Sequence, residues 1–319
     1  MHPNTSTTGD PWSEWLLHRR HGGDPNFEKV VGDLVKIIRD RVLNGAGLKP
    51  GMVLVDVGTG DGLIPFGAFE RVGPTLRAIF TDVSARLLAR AEERAIELGL
   101  RDRCEFLHTP AEQLEGVANE SADIVTSRAV LAYVADKTKA FRQFHRVLKP
   151  GGRISIGEPI NRDAALHLAA VTRYLMSQPN DEKNLPARLY QRWRAAQCPS
   201  TKEEIMSNPL TNFTERDLFN FCRLAGFNEI HLELHIDERK SSIGSWETYM
   251  NVAPLPNTRT FREILSADFT PEEQRLLEGK IRPLFESNMF LERDTVAYLT
   301  AIKPTQVSDT PSPYGSKAP

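Results

Sequence analysis

Cysteine is scarce in this chain: Cys104, Cys198 and Cys222 are the only three among 319 residues. None stands in a Cys-x-x-Cys pair, so neither a disulfide framework nor a zinc motif is expected, and no metal site is predicted; a reducing cytoplasm is the expected setting. An excess of positive charge is also missing. Lys+Arg number 40 against Asp+Glu 42, leaving a formal net charge of -2, and no basic run stands out. A dedicated nucleic-acid binder shows one or the other, so nucleic acid is not an expected partner. No apolar stretch approaches the roughly 20 residues that span a bilayer, and no membrane association is expected. Residues 1–10 read as a loose polar lead and lack the apolar centre of a signal peptide; residues 12–17 follow as a short aromatic and apolar segment. No repeat at the periods of solenoid or propeller architectures is visible.

What is present is alternation. Residues 27–43 carry Val30, Leu34, Ile37 and Ile38 at helical spacing, with Asn44-Gly45 as the expected stop. Beyond Pro50-Gly51, short β-branched runs alternate with helical patterns. Strands are predicted at 52–57, 76–81, 104–108, 123–127, 153–157, 227–236 and 290–302. Helices are predicted at 62–70, from the N-cap Ser84 to Gly99, from Asp136 to Leu148, at 163–177 and 187–196, from Thr214 to Gly226, and at 241–251. A further helix is expected after Thr270-Pro271-Glu272-Glu273, which supplies a cap, a first-turn proline and a capping-box glutamate. The rhythm predicts an α/β fold with a seven-stranded, mostly parallel sheet and helices on both faces.

The densest signal is Asp56-Val57-Gly58-Thr59-Gly60-Asp61-Gly62, between a predicted strand and a predicted helix. Glycines there permit a sharp turn and the close approach of a ligand. The dinucleotide fingerprint Gly-x-Gly-x-x-Gly would need its third glycine where Leu63 stands. Asp56 and Asp61 place two carboxylates around the loop; they repel a pyrophosphate and suit a ligand with an amino group and ribose hydroxyls. Asp82 ends the next strand, where an acidic residue can accept both ribose hydroxyls. A sulfonium nucleoside with an amino-acid tail fits this pattern better than NAD does.

These residues resemble motif I and the acidic ribose position of class I S-adenosylmethionine-dependent methyltransferases. Thr109-Pro110-Ala111-Glu112-Gln113-Leu114 is similar to the family's adenine-pocket segment, and Ala122-Asp123-Ile124-Val125-Thr126-Ser127-Arg128 to its motif IV. Arg146-Val147-Leu148-Lys149-Pro150-Gly151-Gly152-Arg153 is very like the segment before strand five in the small-molecule group, which includes ubiquinone/menaquinone biosynthesis enzymes and arsenite methyltransferases. The resemblance covers residues 49–159 well and continues weakly to the last two strands. It implies a Rossmann-like sheet, S-adenosyl-L-methionine as cofactor, and cofactor contacts from Asp56, Gly58, Thr59, Gly60, Asp61, Gly62, Asp82, Val83, Ala111, Glu112, Ser127 and Arg128. It is poorly specific for substrate. There is no Asn-Pro-Pro-Phe/Tyr after strand four, which argues against amino-group methylation of adenine or of protein glutamine. The cysteine set for arsenite capture is not evident.

Methyl transfer from a sulfonium is an in-line displacement that rests on positioning, and a base is needed only if the nucleophile carries a proton. Arg128 and Glu158 follow strands four and five and border the expected site: Arg128 as holder of an acidic substrate or as structural partner of Glu158, Glu158 as a base. Residues 18–24 hold two His and two Arg, either a lid with His21 as its preferred residue or a solvated basic start. The expected organisation is a helical lid over 1–45, a cofactor-binding core over 46–160, a helical cap over 161–213, completion of the sheet with a second cap insertion over 214–303, and a disordered tail over 304–319. Trp193, Trp246, Tyr174, Tyr190 and Tyr249 in the caps are read as shaping an apolar pocket or as a homodimer face. The predicted function is methyl transfer to a small organic molecule. A macromolecular acceptor, a non-catalytic cofactor-binding partner protein and NAD-dependent oxidoreduction are the alternatives.

Overall fold

The computed structural model describes residues 9–287 and 289–305. Its centre is one seven-stranded sheet in the order β3-β2-β1-β4-β5-β7-β6. The strands are β1 Val53–Val57, β2 Arg77–Asp82, β3 Cys104–His108, β4 Ala122–Arg128, β5 Leu148–Pro159, β6 Asn228–Lys240 and β7 Leu291–Ile302. β1 to β5 pair in parallel, and β7 runs antiparallel between β5 and β6. The predicted class and all seven strands are therefore present.

Period-two alternation sends β-branched side chains to both faces. Leu54, Ala78, Phe80 and Ile124 pack with α2 (Pro25–Ala46), α3 (Leu63–Val72) and α4 (Ala85–Glu97). Val55, Val57, Ile79, Val125, Ile154 and Ile156 pack with Phe141 and Phe144 of α5 (Lys137–Val147) and Leu218 and Cys222 of α9 (Glu215–Leu224). Asp123 begins β4 as a brace: it accepts from Val53 N at 2.8 Å and pairs with Lys149 at 2.7 Å.

Three local predictions are corrected. Helix α2 does not stop at Asn44-Gly45; it runs to Ala46 and turns at Gly47 in the left-handed region, φ 64°. Gly45 serves instead as a point of close approach, since a Cβ there would lie 2.7 Å from Ser155 Oγ. Residues 241–245 are not helical: the hydroxyls of Ser241 and Ser242 donate to Glu292, and helix begins only at α10 (Trp246–Asn251), capped by Ser245. Asp10 is no loose lead residue, because its carboxylate caps α1 (Pro11–Glu14). The expectations for residues 1–8 and 306–319 lie outside the described residues.

After β5 come α6 (Arg162–Ser177), α7 (Leu185–Ala195) and α8 (Lys202–Ser207). Between β6 and β7 come α10, α11 (Phe261–Asp268) and α12 (Pro271–Glu286). The two insertions share one core: Leu189 and Trp193 of α7 pack with Met250, Phe261, Ile264, Leu265, Leu277 and Ile281. Trp193 stands 4.2 Å from Phe261 between ring centroids, and Trp246 5.4 Å from Tyr249. The aromatic residues read as pocket-shaping thus mostly face one another. No described helix is long and apolar enough to cross a membrane.

Candidate active site

A cleft opens at the carboxyl ends of β1, β2 and β4, where open α/β sheets bind ligands. Its floor carries Val57, Gly58, Gly60, Asp82, Val83, Ala111, Glu112 and Arg128. Its roof is Trp12, Trp15, Leu16 and Arg20 from the N-terminal segment, and Ala129, Val130, Tyr133 and Val134 form the wall after β4. Seven of the predicted contact residues therefore share this lining. Asp56, Thr59, Asp61, Gly62 and Ser127 are not part of it: Asp56 lies in β1 and Ser127 in β4, and the other three belong to the loop itself.

The loop is held from beneath. Asp56 is buried and its Oδ1 accepts from Thr126 Oγ1 at 2.6 Å across the β1–β4 register. Burial pushes its carboxyl up to about 7, against the favourable pull of that hydrogen bond. Gly60 N donates to Asp82 Oδ2 and Ser84 N to Asp82 Oδ1, both at 2.8 Å, which fixes the carboxylate at the end of β2. Desolvation raises the Asp82 pKa, opposed by these two N–H groups. Gly58 and Gly60 both have positive φ. A Cβ at Gly58 would overlap a Val130 methyl, while one at Gly60 would project toward Leu16 at 3.7 Å, into the cleft. Ser127 Oγ is buried with no hydrogen-bond partner among the described residues.

Glu158 is 0% exposed. Its Oε1 accepts from Val130 N and Leu131 N at 2.9 and 3.0 Å, and its Oε2 from Ala132 N at 3.3 Å. It makes no ion pair with Arg128 and does not line the cleft. The burial that pushes its pKa up to about 7 is offset by those three N–H groups. Through them it fixes the turn at Ala129, φ 55°, and seats Val130 over Gly58.

The roof departs from the prediction in residue identity. His21 does not line the cleft; its ring packs edge-on to Phe27 at 6.2 Å, and burial with the Arg20 charge lowers its pKa. Arg20 lines the cleft instead, its guanidinium 5.2 Å from the Trp15 ring. Trp12 meets Tyr133 edge-on at 4.8 Å, closing the roof onto the wall. The segment is tied at both ends. Ser84 Oγ donates to Asp10, Trp15 Nε1 to Ala253 O at 2.9 Å, and Thr248 Oγ1 to Asp24 Oδ2 at 2.6 Å. The cap helices therefore hold the roof and do not line the cleft. Trp12, Trp15, Leu16, Arg20 and Tyr133 were missed from sequence, although residues 12–17 stand out there as an isolated aromatic and apolar run.

The donor set fits an adenosyl amino acid. A carboxylate with free lone pairs ends β2 beside the apolar Val83, Leu87 and Ala111; a glycine at 60 leaves room; and a buried hydroxyl at Ser127 has no partner among the described residues. Sheet order and cleft together define the class I S-adenosylmethionine-dependent methyltransferase architecture. A methyltransferase-domain profile matches residues 48–217, and the chain belongs to that family. It is similar to the ubiquinone/menaquinone biosynthesis C-methyltransferase of Klebsiella pneumoniae, 32% identical over 151 residues, which are 46% of this chain and 59% of the relative. It is also similar to the arsenite methyltransferase of Halobacterium salinarum, 31% identical over 115 residues, 36% of this chain and 29% of that one. The chain spans about half the length of the curated relatives it matches first. Among solved structures, the YcgJ protein of Bacillus subtilis aligns with a TM-score of 0.53 at 17% identity, over 84% of this chain and 99% of that one, a likeness of fold.

Proposed function

We propose that the protein transfers a methyl group from S-adenosylmethionine to a small organic molecule. The observation that carries this reading is the roof: Trp12, Trp15, Leu16 and Arg20 cover the cleft that the glycine loop and Asp82 open. A roofed, mostly apolar cavity admits small ligands and excludes water and chain segments. The net charge of -2 adds no attraction for a polyanion.

In this reading Asp82 takes the ribose hydroxyls, and Val83, Leu87, Ala111 and Glu112 surround the adenine. Gly58, Gly60 and Asp61 face the amino-acid tail, while Asp56, Thr59, Gly62 and Ser127 support the loop that does so. The cofactor supplies a methyl group already activated on a sulfonium. The chain supplies enclosure and alignment, worth several orders of magnitude in rate for an in-line transfer. Glu158 acts as a positioning residue for the wall Ala129–Leu131, since its oxygens are committed to backbone N–H groups. Residues 10–24 act as the lid, braced by the second cap insertion.

Methyl-labelled S-adenosylmethionine incubated with protein and a fractionated metabolite extract tests the proposal. Label in a low-mass product is expected. Label that appears only in protein or RNA would replace it with a macromolecular acceptor.

A further inference from the structure

Arg20 and Arg128 both line the cleft, and neither guanidinium makes a hydrogen bond or ion pair with a described residue. Other described arginines without such a partner, among them Arg86, Arg90, Arg142 and Arg173, are exposed to water, whereas Arg20 and Arg128 are half-buried. The two charges act on each other. Burial and then the Arg128 charge push Arg20 down to about 10, and Arg128 is lowered by its own desolvation. Asp61 is the largest opposing charge for both, followed for Arg128 by Asp56 and Glu158, yet none of these carboxylates makes an ion pair with either guanidinium. Two like charges in an apolar cleft are costly unless an anion joins them.

The cofactor brings one carboxylate, enough for one guanidinium, and its ammonium competes for Asp61. One positive charge, shared by the two guanidiniums, is then left over, beside a phenol with no partner: the Tyr133 hydroxyl makes no hydrogen bond with a described residue, and its ring forms the wall with Trp12, Val130 and Val134. We infer that the methyl acceptor is an organic anion, its carboxylate or phosphate held between Arg20 and Arg128 and its apolar body against Trp12 and Tyr133. This rests on the methyl-transfer reading above and narrows its substrate class. Arginine suits either anion because its fork of N–H donors matches two oxygens at once.

The test uses the full chain saturated with S-adenosylhomocysteine, whose carboxylate fills the cofactor's own share. Phenylacetate, phenyl phosphate, inorganic phosphate and the neutral phenylacetamide are titrated calorimetrically into that complex. An anion should bind at least about tenfold tighter than the amide, the scale of one charge-assisted hydrogen bond. The better of carboxylate and phosphate names the group. Arg20→Met, in the segment outside the sheet, and Arg128→Met should each erase the preference, while 5′-methylthioadenosine, which lacks the amino-acid tail, keeps its affinity for both variants. Equal binding of acid and amide, or binding of none of the four probes, overturns the inference, and the wild-type protein alone decides this should a variant fail to fold. So does loss of S-adenosylhomocysteine affinity in both variants with the anion preference intact, which would assign both guanidiniums to the cofactor's tail. Failure of the wild type to bind S-adenosylhomocysteine at all would instead sink the methyl-transfer reading.

Discussion

Trp15 donates its indole N–H to the Ala253 carbonyl at 2.9 Å, 238 residues away in the chain. The same indole lines the cleft, so one side chain is both roof and tie. Trp15→Phe keeps an aromatic wall and removes the tie. A net hydrogen bond contributes about 0.5–1.5 kcal/mol. S-adenosylhomocysteine should therefore leave about 2–10 times faster from the variant, measured by stopped-flow displacement, with little change in the association rate. An unchanged release rate would mean that the roof is held without this bond.

Asp82 has two tasks that substitution can separate. Its oxygens accept from Gly60 N and Ser84 N, and they end β2 at the cleft. Asp82→Ala should lower S-adenosylhomocysteine affinity by at least about a hundredfold in calorimetry, since hydrogen bonds to a charged group contribute about 1.5–3 kcal/mol each. Asp82→Asn retains one acceptor and should fall between. Affinity unchanged in both variants would remove Asp82 from the cofactor site. Gly60→Val should abolish binding because its side chain enters the cleft, and strain at φ 56° should lower stability as well, so a thermal melt accompanies the calorimetry to show that the variant is folded.

Gly58 and Val130 are packed so tightly that only glycine fits. Gly58→Ala should destabilise the protein by about 2–4 kcal/mol, summing strain at positive φ with overpacking. Val130→Ala in the same chain should restore part of that loss, leaving the φ strain. Denaturant melts of the two single variants and the double give the coupling. Additive losses would mean that the wall after β4 moves aside freely.

The sheet and the glycine loop were legible because each local signal agreed with the fold. Most strands end at a breaker or a cap, β4 being the exception, and Gly58, Gly60 and Asp82 sit at or just after strand ends whatever the packing around them. The lid was not legible at residue level. Arg20 N bonds to Trp15 O, a five-residue step that closes the π-helical turn Trp15–Arg19. That turn shifts the phase of the helix by one residue, so Arg20 faces the cleft and His21 packs on Phe27. The caps were misread for a different reason. Trp193, Trp246 and Tyr249 have the composition of a pocket wall, but they pack into a core shared by the two insertions, Trp193 across to Phe261 and Tyr249, Trp246 onto Tyr249, Phe261 and Phe285 of its own insertion, and composition does not reveal that packing.

Asp56 sets a pH dependence whose sign runs against the usual one. Its carboxyl is raised from 3.8 to about 7 in the folded chain, by burial first. Between those two values the folded state holds a proton that the unfolded state has released, so stability falls as pH rises from about 4 to about 7 and levels off above. Glu158, raised from 4.5 to about 7, acts in the same direction. Asp40, Asp268 and Glu273 have lowered pKa values and gain stability as pH rises, but that gain lies below about pH 5. His21 and His145, lowered from 6.5, gain stability as pH rises through that value, so the wild-type curve alone mixes both signs. The difference between Asp56→Asn and wild type separates them. Asparagine keeps an acceptor for Thr126 Oγ1 and cannot ionise. Without ligand, the variant should melt near the wild type at about pH 4 and above it at about pH 8, the gap widening between about pH 4 and about pH 7 and holding constant beyond, in a series of thermal melts. A gap that stays constant from pH 5 to 8 would show that Asp56 is already ionised in the folded protein at pH 5.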